Sequence, residues 1–206
     1  MIRQNCSRKA FAAAFLTLVL LPCATHAEDL SVQQLIDGLK VSRPRSLSAP
    51  ERPAASADDL SFVDRLRHNR SLSGDDRERL AKMVAVRPKI DVDINFDYNS
   101  AALAPKSESQ LNNLGKALTA PELAGSVITL SGFTDAKGGD EYNQRLSERR
   151  AEAVKRFLVE NYHLPAANLI TVGYGKTHLK NTADPLAAEN RRTQVANLEG
   201  KEQAAR

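Results

Sequence analysis

From Ile90 to Leu198 the hydrophobic pattern switches repeatedly between a period of two and a helical period, and this restricts the fold more than any other feature. Ile90-Asp91-Val92-Asp93-Ile94-Asn95-Phe96 places an apolar residue at every second position, the pattern of a strand with one buried face. Leu111, Leu114 and Leu118 then form an apolar stripe between Pro105, which suits a first helical turn, and Pro121. Val127-Ile128-Thr129-Leu130 is more continuously apolar, as a central strand requires. Tyr142 to Tyr162 carries the longest helical pattern, with Leu146, Ala153 and Phe157 on one stripe and Val154 and Leu158 beside it. Leu169-Ile170-Thr171-Val172 and Arg192 to Leu198 read as two further strands. The order βαβαββ predicts an α/β sandwich, with helices packed on one face of a mixed sheet. A segment of about 110 residues is long enough for one such core.

The preceding text is different. Residues 1–27 read as a secretory signal: Arg3, Arg8 and Lys9, then an apolar run from Ala10 to Leu21, then a small-residue cleavage site at Thr25-His26-Ala27. The run is roughly a dozen residues, short of the ~20 that span a bilayer. An uncleaved anchor and a lipid-anchored lipoprotein are the alternatives. The second needs a small residue before Cys23, and Pro22 stands there. Residues 28–87 read as an N-terminal arm. It starts with a short amphipathic helix (Leu30, Val32, Leu35, Ile36, Leu39) that Ser31 can cap. A linker follows from Val41 to Leu60, marked by Pro44, Pro50 and Pro53, and then a short helix over 75–84. The folded domain is expected over 88–199, with a tail at 200–206.

Removing the signal changes the charge. The full chain has 29 Lys and Arg against 25 Asp and Glu, a net of +4; without Arg3, Arg8 and Lys9 the basic count is 26. The excess is an export feature, so no phosphate-binding surface and no nucleic-acid partner are expected. Both cysteines, Cys6 and Cys23, lie in the signal, which excludes a thiol nucleophile and a cysteine metal site in the processed chain.

The turn after the second strand is unusual. Gly132-Phe133-Thr134-Asp135 and Gly138-Gly139 put a carboxylate on a glycine-rich loop that leads into a helix. Asn143 and Arg150 follow on one face of that helix, two turns apart. Spacing alone favours the plainer reading, a loop or capping Asp135 and a solvated Arg150.

These residues belong to an ordered series. Gly132-Phe133-Thr134-Asp135 is followed by Tyr142-Asn143-Gln144-Arg145-Leu146-Ser147-Glu148-Arg149-Arg150-Ala151, then Val172-Gly173-Tyr174-Gly175, then Asn190-Arg191-Arg192. Phe96-Asp97-Tyr98-Asn99-Ser100, with Leu103 and Pro105 after it, precedes them. Over residues 88–199 the series resembles the OmpA-like C-terminal domain family, periplasmic modules that bind peptidoglycan. The resemblance implies non-covalent capture of the diaminopimelate residue of the peptide stem. Asp135 falls on the family's binding aspartate and Arg150 on its binding arginine. A carboxylate accepts an ammonium, and a guanidinium fork holds a carboxylate through two parallel bonds. Asn99 and Asn143 fall on positions that line the family's pocket, and Thr134 belongs to the same loop. Arg191 is a further candidate, either for the ligand or for tying the last strand to the loop. Two departures stand out: Phe133 replaces a common His or Tyr, and Leu186-Ala187-Ala188-Glu189 lacks the Gly-Arg that often precedes Asn190.

The resemblance implies a periplasmic, wall-associated protein that anchors or positions an envelope component, with outer-membrane attachment or a role as accessory to a wall hydrolase as alternatives. Residues 28–87 are too few for a membrane barrel. Leu35, Ile36 and Leu39 either dock an envelope protein or pack on their own domain. No enzyme is expected. Gly173 to Thr177 contains Gly-Lys-Thr, but a phosphate loop needs glycine where Ile170 stands. His68, His163 and His178 have neither ligand nor triad spacing, so neither a metal nor a cofactor is expected.

Overall fold

The computed structural model describes residues 29–40, 56–69, 72–96 and 100–199. The expected signal, most of the linker, Asn99 and the tail lie outside the described residues. Three helices precede the sheet: α1 (Val32–Leu39), α2 (Ala57–His68) and α3 (Gly74–Ala85). Each begins on a serine. The Ser31 hydroxyl accepts from Gln34 N, while Gln34 Oε1 accepts from Ser31 N at 2.8 Å, a reciprocal cap. Ser56 and Ser73 cap α2 and α3, whose first turns carry Asp58, Asp59, Asp75 and Asp76, the charge sign that the helix dipole favours there. None of the described helices is long and apolar enough to cross a membrane.

Strands β1 (Lys89–Val92), β2 (Val127–Phe133), β3 (Leu169–Gly175) and β4 (Thr193–Glu199) form one mixed sheet in the order β1-β4-β2-β3. β4 pairs antiparallel with β1 and β2, and β2 pairs parallel with β3. Two helices sit between strands: α4 (Glu108–Thr119) and α5 (Asp140–Tyr162). The βαβαββ order and the central, fully buried β2 follow the sequence pattern. The first strand is shorter than its alternation predicts. Ile94 N bonds to Val92 O, and the Asn95 backbone exchanges hydrogen bonds with the Ser107 hydroxyl (2.6 and 2.8 Å). The chain therefore turns off the sheet at Val92, and Phe96 bridges instead to Leu103.

The sheet is covered on both faces. Ile128, Leu130 and Val195 point into one core with α1, α4 and α5. Val127, Phe133, Ile170, Val172, Tyr174, Ala196 and Leu198 point the other way, onto Phe62, Val63 and Leu66 of α2 and Leu80, Met83 and Val84 of α3. The expected single helix layer thus holds for α4 and α5, and the arm supplies the second. α2 starts at Ala57, inside the stretch that composition assigns to linker; its apolar stripe is only three residues wide among charges and has little helical signature. Leu35 and Leu39 are fully buried, and Asn197 Nδ2 donates to Leu39 O at 3.0 Å. Leu30 is held at its other end: its N–H donates to Gln110 Oε1 (2.7 Å) and its carbonyl accepts from Asn113 Nδ2 (3.1 Å). The Leu35, Ile36 and Leu39 face is therefore part of the protein's own core, and the docking alternative for it is set aside.

Two features fix the sheet's site end. A Cβ placed on Gly132 would stand 2.3 Å from Ser147 O, so α5 lies directly on the β2 backbone. Asp91 pins the edge strand: Lys180 Nζ and Gln194 Nε2 each donate to it at 2.8 Å. Burial alone would raise the Asp91 pKa, but these bonds and the charges of Lys180 and Arg192 outweigh it and hold the carboxyl below its usual range. Gly132→Ala should cost about 1–3 kcal/mol in urea unfolding, because the obstructing atom is backbone. A carboxyl whose folded pKa is depressed stabilises above its unfolded value, about 3.9, and loses that contribution as pH falls through the folded value. Thermal unfolding followed downward from pH 5 should therefore show a steeper loss in the wild type than in Asp91→Asn.

Candidate functional site

β2 ends in an irregularity: the pairing with β3 shifts between Gly132 and Phe133, which turns the chain out of the sheet into the loop Thr134–Gly139. The loop is held from several sides. Thr134 N bonds to Gly175 O and Ala136 N to Pro185 O, both at 2.9 Å. Asp135 Oδ1 accepts from Lys137 N at 3.1 Å, closing a local turn. Asn143 reaches back from α5, its Nδ2 donating to Lys137 O at 2.9 Å. Gly138 takes a φ of +95°, and its carbonyl accepts from Lys176 Nζ at 3.1 Å. Lys176 also pairs with Asp140 at 2.7 Å. The lysine of the Gly-Lys-Thr run is thus a clamp on this loop.

The charged groups meet above this frame. Arg191 Nη1 donates to Asp135 Oδ2 at 2.8 Å, with the Asp135 side chain 16% exposed and that of Arg191 48% exposed. Arg150 rises from α5. Its Nε donates to Ser100 O at 3.1 Å, and its guanidinium lies 4.8 Å from the centre of the Phe96 ring. Burial lowers the Arg150 pKa from its ordinary value. Tyr142 and Asp135 oppose that shift and Arg191 adds to it. An arginine stays charged through such a shift. Arg150 and Arg191 border a cavity of about 420 Å³ that extends past Phe96 and Ile94 to Asp91, Lys180 and Arg192.

Asp135, Arg150 and Arg191 therefore come together. Thr134 and Asn143 lie beneath them and are nearly fully buried. The Thr134 hydroxyl has no hydrogen-bond partner among the described residues, and the Asn143 amide is spent on the loop. Arg150 is half-buried, and Asp135 has lost most of its solvent, so neither is the open surface group that spacing suggests.

Other residues escaped the sequence reading. Phe96 is the platform under Arg150. Asn190, fully buried, accepts from Asn181 N (2.8 Å) and donates to the Asp184 carbonyl (3.0 Å), which sets the loop that presents Arg191. Phe133 turns to the opposite face of the sheet. It stacks on Tyr174 at 5.2 Å and lies 3.8 Å from the Arg192 guanidinium. Its neighbours there are apolar and cationic, which is why the position works without a polar side chain. The position of Arg192 beside Arg191 in the motif was the one available signal for it. Asp91 and Lys180 carried none, being 89 residues apart.

A sequence model described as the OmpA family matches residues 95–193. The chain is 34% identical over 108 residues to outer membrane porin F of Pseudomonas aeruginosa, covering 52% of this chain and 30% of that protein. It is 34% identical over 94 residues to outer membrane protein A of Escherichia coli O157:H7, covering 45% of this chain and 27% of that protein. The chain spans about a third of the length of the curated relatives it matches. Among solved structures, the peptidoglycan-associated lipoprotein from Burkholderia pseudomallei is similar at 27% identity and a TM-score of 0.43, over 56% of this chain and 92% of that one. Residues 95–193 are an OmpA family domain.

Proposed function

We propose that residues 88–199 bind peptidoglycan without cleaving it, by capturing the diaminopimelate residue of the peptide stem. Residues 1–27 export the chain to the periplasm, α1, α2 and α3 of the arm at 28–87 complete the domain's packing, and residues 200–206 are the tail. The protein thereby positions an envelope component at the wall. The observation that carries this reading is the grouping of one carboxylate with two guanidiniums: Asp135 pairs with Arg191, Arg150 feels the charges of both, and the two arginines border one cavity. A diaminopimelate end carries an ammonium and a carboxylate on one carbon. Asp135 takes the ammonium, sharing its oxygens with Arg191, since an ionised carboxylate offers about four acceptor positions. Arg150 takes the carboxylate, with its plane held by Phe96 and Ser100 so that little freedom is lost on binding. Thr134 and Asn143 act beneath, by holding the loop. Asn99 is kept as a further ligand-binding residue on the family resemblance alone. Membership of the OmpA family and the outer-membrane names of the relatives support an envelope location.

The test is co-sedimentation of the protein with purified diaminopimelate-type sacculi. Wild type should pellet with the sacculi and release no soluble fragments. Asp135→Ala and Arg150→Ala should each weaken binding by about 30-fold or more, the order expected when one partner of a charge-assisted pair is lost, about 2 kcal/mol. Arg150→Lys should recover only part of it, because an ammonium cannot reproduce the fork. Circular dichroism establishes that the variants are folded. Wild-type binding by both alanine variants would overturn the site assignment.

A further inference from the structure

The cavity that begins at Arg150 does not end with the groups just described. It runs along the segment after β1 to Lys180, beside Asp91 and Arg192. Its volume, about 420 Å³, lies within the range of about 300–1,000 Å³ that takes ligands larger than a single side chain. At the far end Asp91 is served three times over. Lys180 donates to Oδ2 and Gln194 to Oδ1, each at 2.8 Å, and Arg192 Nε stands 3.7 Å from Oδ1. These partners are not equivalent. The Arg192 side chain is 13% exposed and backed by the Phe133 ring, whereas that of Lys180 is 50% exposed. If Lys180 swings away, Asp91 keeps a charge partner and a hydrogen bond, so no buried carboxylate is left uncompensated. Holding a half-exposed lysine in an ion pair contributes little, so its ammonium is exchangeable.

We propose that Lys180 is a second carboxylate-binding residue of this cavity. The site then prefers a peptide stem with another carboxylate, set apart from the diaminopimelate end that Arg150 holds. The free α-carboxylate of a γ-linked glutamate has that chemistry. This inference rests on the peptide-stem reading given above.

Two soluble probes separate the ideas: L-alanyl-γ-D-glutamyl-meso-diaminopimelate, and the same tripeptide with the glutamate α-carboxylate amidated. Binding to the full chain is measured by titration calorimetry. Wild type should bind the amidated peptide about fivefold more weakly, the range of an exposed ion pair. Lys180→Gln should bind both peptides alike, and Lys180→Arg should restore the difference. A purely structural role for Lys180 would lower both affinities equally in Lys180→Gln and leave the amidation penalty in place, which overturns the inference. Equal binding of both peptides by wild type overturns it as well. If Asp135→Ala removes binding while Lys180→Gln keeps the penalty, only the Lys180 assignment falls. If neither peptide binds wild type, or Asp135→Ala binds both as wild type does, the peptide-stem reading and the Lys180 assignment fall together.

Discussion

The contact between α5 and bare backbone governs the rest of the structure. Gly132 and Gly173 lie side by side on β2 and β3, and both would place a Cβ within 2.5 Å of α5 atoms. The helix therefore rests on the sheet itself. The Ser147 hydroxyl uses that closeness: it accepts from Gly175 N at 2.9 Å and donates to Gln144 O at 2.8 Å. Ser147 lies between Asn143 and Arg150, so the height and rotation of α5 set at this contact decide where both side chains stand. Any outward shift of the helix would carry Arg150 away from Phe96 and release the Asn143 hold on the loop.

The second organising fact is that the sheet has no bare face. A four-stranded mixed sheet with helices on one side leaves Val172, Tyr174 and Leu198 facing water, a patch too apolar for an isolated surface. α2 and α3 remove it. Their contribution reaches the site through Tyr174, whose hydroxyl donates to Arg77 O at 3.3 Å and whose ring stacks on Phe133, the residue before Thr134 and Asp135. Burial pushes the Tyr174 hydroxyl's pKa well above its ordinary value, which fits a phenol committed to packing.

What was legible in the sequence had a local cause. Helices α4 and α5 show their period because each buries one stripe, and β2 and β3 read as short, nearly continuous apolar runs because both faces of the sheet are covered. The Ser31 cap announces α1 because capping is a matter of three residues. The covering role of α2 was hidden: its buried stripe of Phe62, Val63 and Leu66 is shared with five charged residues and His68 within twelve positions. At the site, the grouping of Asp135 with Arg150 came from the family motif. The Arg191 bond to Asp135 spans 56 residues and has no local signature. The buried placement of Asn143 likewise depends on the loop that it anchors, which only the folded chain supplies.

The fastening of α1 has a mechanical side. The backbone just ahead of the helix is gripped at Leu30 by Gln110 and Asn113 of α4, and its last turn is gripped at Leu39 by Asn197 of β4. A force applied at the start of α1 meets this double grip first and passes into α4 and β4. The Thr134–Gly139 loop is secured separately, by Gly175, Pro185 and Lys176. A pull on the N-terminal side therefore loads the interior of the sheet while the ion-pair end stays outside the direct line of force.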